Sequence, residues 1–118
     1  MMKGGDKVNT YAITFGFIAF DIITGFIKAL YKDGLNSTIL RNGLFHKVSE
    51  ILTVFGGGLL DYSVQFVDIG ISIPVLKFVT VYIITMELIS IIENLSEINP
   101  KLTKLFSPYL EKLKKGRD

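Results

Sequence analysis

Apolar residues fill three long stretches of this chain, and polar residues recur inside each at helical spacing. The stretches cover residues 8–31, 47–67 and 74–95. Roughly 20 helical residues cross the hydrocarbon of a bilayer, so the first and third are long enough to do so. The second is punctuated by Glu50, Gly56-Gly57-Gly58, Asp61 and Gln65. It is therefore expected to be tilted, amphipathic or inserted with help from its neighbours. Gly34 predicts the end of the first helix. Ser72 is positioned to cap the third, with Pro74 in its first turn. Between the first two stretches, Asn36 or Ser37 predicts the start of a short helical turn and Asn42-Gly43 its end.

At 100° per residue each stretch is two-faced. In the first, Thr14, Asp21 and Lys28 are a heptad apart, with Thr24 and Gly25 beside them. Ala12, Phe15, Ala19, Ile23, Phe26 and Leu30 take the other side. In the second, Glu50, Gly57, Asp61 and Gln65 share a stripe, with His46 and Thr53 alongside. In the third, Thr80, Glu87 and Asn94 line up, with Ser90 adjacent and Lys77 near the start. An Asp at the centre of a membrane helix costs about 2.5–3.5 kcal/mol, while each Leu, Ile or Phe returns about 0.3–0.6 kcal/mol. Asp21 thus offsets several large apolar residues. Such groups normally face a protein interior or a water-filled space. Two arrangements satisfy that rule. The stripes can form an internal hydrogen-bond and ion-pair network within one bundle, or they can surround water in an assembly of many copies.

Past residue 95 the pattern changes. Leu102, Leu105, Phe106, Tyr109, Leu110 and Leu113 follow an amphipathic helical period. Lys101, Lys104, Lys112 and Lys114 lie on the opposite face, and Ser107-Pro108 is a potential kink. A basic amphipathic helix of this kind, within the tail 96–118, suits an anionic membrane surface. The sequence therefore predicts one all-α membrane domain with about three transmembrane helices and a basic amphipathic C-terminal helix.

Composition narrows the function classes. Of 118 residues, 49% are hydrophobic and 20% charged, and the mean hydropathy of +0.45 is high for a soluble domain. There is no Cys and one His, too few soft ligands for most protein-ligated zinc or iron centres. No metal or other cofactor is expected. The net charge of +2 gives no reason to expect nucleic acid. Lys3 and Lys7 precede an apolar run, as in a signal peptide. Asp21 interrupts that run and no small-x-small site follows, so an uncleaved helix is expected. Lys and Arg concentrate in the first connection (Lys28, Lys32, Arg41, Lys47) and in the tail. With three spans, the positive-inside rule then puts the N-terminus outside and the C-terminus in the cytoplasm; two spans with the second segment on the surface would instead leave both ends on the same side.

Local motifs add little chemistry. Gly56-Gly57-Gly58 reads as close packing or a kink, since a phosphate cradle needs a preceding strand and a following Lys-Ser/Thr. Gly25 with Ala29, and Ala12 with Gly16, are small-x-x-x-small pairs. His46 reads as a polar interface residue. Asp21, Glu50, Asp61 and Glu87 admit a proton or cation path. No Ser/His/Asp set or phosphotransfer motif points to an enzyme.

Five pieces in order resemble the phage-lysis and toxin-secretion holin family. They are Asp21-x-x-Thr24-Gly25-x-x-Lys28-Ala29, Leu35-Asn36-Ser37, Gly43-x-x-x-Lys47, Glu87-x-x-Ser90-Ile91-x-Glu93-Asn94, and Pro100. The resemblance spans roughly residues 19–105, and Asn42 before Gly43 departs mildly from the pattern. It implies that 21–29 lies in the first membrane helix and that Ser37, Gly43 and Lys47 belong to a cytoplasmic loop. It further implies a non-catalytic homo-oligomer of the bacterial cytoplasmic membrane, which opens holes that release an endolysin or a toxin. The competing classes are a non-lytic structural or accessory bundle and a small ion channel.

Overall fold

The computed structural model describes residues 4–32 and 34–117. These form four helices: α1 (Gly4–Lys32), α2 (Ser37–Ser63), α3 (Val75–Ile98) and α4 (Lys101–Arg117). Among the described residues there is no strand, so the all-α expectation holds. Two of the helices, α1 and α3, are long and apolar enough to cross a membrane.

Helix boundaries follow from local chemistry. The chain leaves α1 through Gly34, at φ +79°, where only glycine escapes a Cβ clash. Its N–H closes back on the Ala29 carbonyl at 2.6 Å. Asn36 then caps α2, its side chain accepting from Thr38 N at 2.9 Å and Ile39 N at 3.1 Å. The helix does not stop at Asn42-Gly43. Helical hydrogen bonding carries it through both residues to Ser63. The short turn and the loop expected over 37–47 are thus the first turns of α2, and the second segment shifts from 47–67 to 37–63. Gln65 falls beyond its end.

The start of α3 also differs from expectation. Pro74 is the N-cap residue rather than part of the first turn, and it offers no side-chain cap. Asp61 replaces Ser72 in that role. Its two carboxylate oxygens accept from Val75 N at 2.8 Å and Leu76 N at 3.1 Å, so α2 caps α3 across the bundle. At the other end, Asn99 is extended (φ −134°, ψ 94°), as a residue before proline prefers to be. Beyond Pro100, α4 runs unbroken across Pro108.

Contacts along the helices fix their directions. Lys28 and Lys32 of α1 meet Glu97 of α3 at 3.2 and 3.3 Å, while Asp61 of α2 meets the start of α3. So α1 and α3 run parallel and α2 runs antiparallel to both, an up-down-up trio. Helix α4 folds back along α3, bringing Lys112, Leu113 and Gly116 beside Phe78, Tyr82 and Thr85.

The trio is layered along its axis. Nearest the Asp61 cap, Gly57 lies against the α3 backbone, where an added Cβ would sit 3.4 Å from Leu76 Cα. Next comes an apolar core of Ile18, Val54, Leu76 and Ile83, flanked by the rings of Tyr11, Phe15 and Phe55. Beyond it the interior turns polar.

Candidate functional site

The polar layer is built on Lys47. About midway along α3, Glu87 points inward, and at the same level α1 presents Asp21. Lys47, on the inner face of α2, donates to Asp21 Oδ2 and to Glu87 Oε2, both at 2.5 Å. Asp21 is 6% exposed and Glu87 2%, so two carboxylates are withdrawn from solvent and joined by one ammonium. The remaining oxygen of Asp21 accepts from the Asn94 side-chain amide at 3.1 Å. The same amide donates to Thr24 Oγ1 at 3.0 Å, and Thr24 donates back to the Asp21 carbonyl at 3.1 Å. Each helix of the trio thus contributes to one connected network. Gly25 lies beside it, and a Cβ there would make ordinary contact with Asn94 Nδ2 at 3.6 Å.

Glu50 completes the layer. Its Oε1 lies 3.4 Å from Lys47 Nζ and 3.5 Å from His46 Nδ1, within ion-pair range. That oxygen is buried yet has no hydrogen-bond partner. Glu50 borders an open cleft of about 690 Å³ between α2 and α3, whose walls include Lys47, Ser49, Thr53, Tyr82, Glu87 and Ser90. Three carboxylates therefore share one lysine, with the imidazole of His46 at the rim. Among the described residues, no group of three or more His, Asp or Glu is placed to hold a metal ion.

The structure brings some of the predicted residues together and separates others. Asp21, Thr24, Glu50, Glu87 and Asn94 come together with Gly25 packed beside them. Thr14 and Thr80 are buried along the same inward stripes. Lys28 does not join them. Although a heptad from Asp21, it sits near the end of α1 and reaches outward to Glu97. Asp61 is a helix cap, and Lys77 stands near it with Asp6 and Lys7 at the opposite end of the trio. Gly57 packs helix to helix, while Ala29 serves through its carbonyl. Ser37 and Gly43 are exposed on α2 rather than in a loop. Lys47, expected in that loop, is the residue on which the network turns. One signal in the sequence marks it: Lys47, Glu50, Ile51, Val54, Gly57, Gly58 and Asp61 form a continuous seam at spacings of three and four.

Comparison with known proteins gives one family. The model described as the bacteriophage holin family matches residues 4–115, nearly all of the chain and all three helices that build the network. No curated protein and no solved structure matches. The family is not one of enzymes, and its membership places the chain in the cytoplasmic membrane, in keeping with two helices apolar enough to cross it. By this match over its length, the chain belongs to the bacteriophage holin family.

Proposed function

We propose that the protein assembles with further copies of itself in the cytoplasmic membrane and opens lesions through which an endolysin or a toxin leaves the cytoplasm. The observation that carries this reading is the Lys47 network: ionisable groups gathered at mid-depth of the helix trio, beside an open polar cleft. Ionisable groups in a membrane are costly unless they face protein or water. In a sparse membrane Asp21, Lys47 and Glu87 satisfy one another, and the resting copy does no harm. In a crowded one the helices repack, and Asp21, Lys47, Glu50 and Glu87 turn toward a water-filled lumen. A concentration trigger requires the two packings to be nearly balanced in free energy. With α2 also spanning, the excess of Lys and Arg in the first connection and the tail supports an N-terminus outside and a basic tail in the cytoplasm.

A second reading has one observation in its favour. Asp21 has both carboxylate oxygens engaged, by Lys47 and Asn94, as a permanent, non-lytic bundle would require. Induced expression separates the readings, with membrane potential and culture density recorded with and without a cytoplasmic endolysin. The proposed function expects a delayed, abrupt depolarisation, followed by lysis only when endolysin is present. Steady growth with intact potential at high membrane levels would favour the permanent bundle. Depolarisation that never releases endolysin would favour a small channel.

A further inference from the structure

Helix α2 has three faces. Lys47, Glu50, Val54, Gly57 and Asp61 turn inward. Val48, Leu52, Phe55 and Leu59 are exposed and apolar, suited to lipid. The third face carries Asn42, His46, Ser49, Thr53 and Gly56, alternating by four and three residues. All five are exposed, and the His46 side chain is 78% so. His46, Ser49 and Thr53 of this face line the polar cleft, next to Lys47 and Glu50.

We propose that this face is the seam on which a second copy of the chain packs, α2 against α2 and parallel, so that the partner closes the cleft. The inference rests on the reading above for placing α2 at bilayer depth. Lipid is a poor cover for the seam. The groove between α1 and α3, about 410 Å³, is lined by Ile13, Gly16, Phe17, Phe20, Leu88 and Ile91 and suits acyl chains. The α2 cleft instead shows hydroxyls, an imidazole and carboxylates, which hydrocarbon leaves unsatisfied.

Three features select a second copy as the occupant. A seven-residue repeat keeps one face of each helix toward its partner when the pair supercoils with a left hand. Copies inserted with one orientation present α2 in parallel, so equal positions meet and the small residues Ser49 and Gly56 let the backbones approach. The polar groups supply both donors and acceptors, the N–H groups coming from the Asn42 amide and the His46 imidazole. Ser49 and Thr53 donate to their own helix, to the His46 carbonyl at 2.6 Å and the Ser49 carbonyl at 2.7 Å, and keep oxygen lone pairs free to accept. The partner's His46 brings an imidazole to a cleft in which Glu50 Oε1 has no hydrogen-bond partner and carboxylates outnumber lysine.

The chain has no cysteine, so single substitutions report cleanly. Full-length Ser49→Cys, Gly56→Cys, Leu52→Cys and Leu59→Cys variants are expressed in bacterial membranes and oxidised with copper phenanthroline. Disulfide dimers are expected at Ser49→Cys and Gly56→Cys about tenfold above Leu52→Cys and Leu59→Cys, the ratio given by a preference of about 1.4 kcal/mol for one face. Adding Gly56→Leu to Ser49→Cys abolishes the dimer at unchanged membrane level, since a Cβ at Gly56 meets nothing within 4 Å in the single copy. Cross-links strongest at Leu52→Cys or Leu59→Cys overturn the seam. So does an absence of cross-links at Ser49→Cys and Gly56→Cys, whether or not a water-soluble maleimide labels them. Endolysin release from the same strains keeps the two proposals apart. Release with cross-links on the wrong face removes the seam alone, and seam cross-links without release remove the lytic function alone.

Discussion

Lys47 and Asp21 lie 26 positions apart in the chain and 2.5 Å apart in the fold, and Glu87 receives a second hydrogen bond from the same ammonium. Among the described residues, this ammonium is the one cation between two buried carboxylates contributed by α1 and α3, the helices best suited to cross a membrane. Removing it leaves both without a counter-charge, whereas neutralising all three leaves Glu50, beside His46, as the remaining carboxylate of the layer. Breaking a buried pair from one side typically costs about 3–5 kcal/mol, while neutral replacement of all partners is often tolerated. Lys47→Met is therefore expected to lower the free energy of unfolding in detergent by an amount in that range. Lys47→Met combined with Asp21→Asn and Glu87→Gln should recover most of the loss. Circular dichroism on the purified variants measures both. Equal losses in the single and triple variants would show that the charges do not form one unit. Under the proposed function, Lys47→Met also shortens the delay before depolarisation.

Lys28 provides the contrast. It shares the helical stripe of Asp21, but its ammonium pairs with Glu97 at the exposed end of the trio, where Lys32 competes for the same carboxylate. Water and salt screen such pairs. Lys28→Met is expected to leave the unfolding midpoint and the lysis time unchanged, both measured beside Lys47→Met. A shift as large as that of Lys47→Met would place Lys28 in the network after all.

Much of this arrangement is legible in the sequence. The heptad spacing of Thr14 and Asp21, and of Thr80, Glu87 and Asn94, identifies the inward faces of α1 and α3 before any contact is known, because polar groups in apolar helices must find one another. Two things are not legible. Spacing along one helix does not reveal depth, so Lys28 resembled Asp21 although one lies near an end and the other in the middle. Asn42-Gly43 resembled a stop signal because local propensity favours ending a helix there. Packing of the seam from Lys47 to Asp61 overrides that preference, as tertiary contacts often do. The role of Asp61 is likewise invisible along the chain, since it caps a different helix from its own.

That cap yields the next prediction. Helix α3 begins at Val75 with no side-chain cap from Pro74, and Asp61 supplies both acceptors. Loss of a capping side chain typically costs about 1 kcal/mol. Asp61→Ala is expected to destabilise by about that amount, and Asp61→Asn, which retains one carbonyl acceptor, by less. Thermal melts in detergent give the ranking, and hydrogen exchange at Val75 and Leu76 should rise more in the Ala variant than in the Asn variant. An unchanged rate at those two amides would show that the cap contributes nothing.

The glycine run separates packing from flexibility. Gly57 lies against the α3 backbone, where an added Cβ would approach Leu76 Cα to 3.4 Å, whereas Gly56 faces open space. Gly57→Leu is expected to push α2 away from α3 and cost about 1–3 kcal/mol, the usual range for overpacking. Gly56→Ala should be neutral or stabilise by up to about 1 kcal/mol through helix propensity. Unfolding in detergent, where each chain is isolated, measures the pair. Equal effects at the two positions would place the run outside the packed interface.

Helix α4 carries the last expectation. It lies back along α3 and brings Lys112 beside Tyr82 and Thr85, at or beyond the level of Glu87. A charged side chain carried to the middle of a bilayer costs about 2.5–3.5 kcal/mol, and this helix carries several. In a membrane, lipid can cover Phe78, Val81 and Tyr82 equally well, and the extended Asn99-Pro100 step allows α4 to turn away. Near an anionic surface each Lys or Arg contributes about 1 kcal/mol. The helix is therefore expected to leave α3 and lie in the headgroup layer, with Leu105 and Tyr109 toward the acyl chains. A polarity-sensitive fluorophore on Leu105→Cys, in protein reconstituted into vesicles, should shift to the blue with anionic lipid. The shift should be smaller with zwitterionic lipid and should fall as salt rises. A signal indifferent to lipid charge and salt would mean that α4 remains docked on α3.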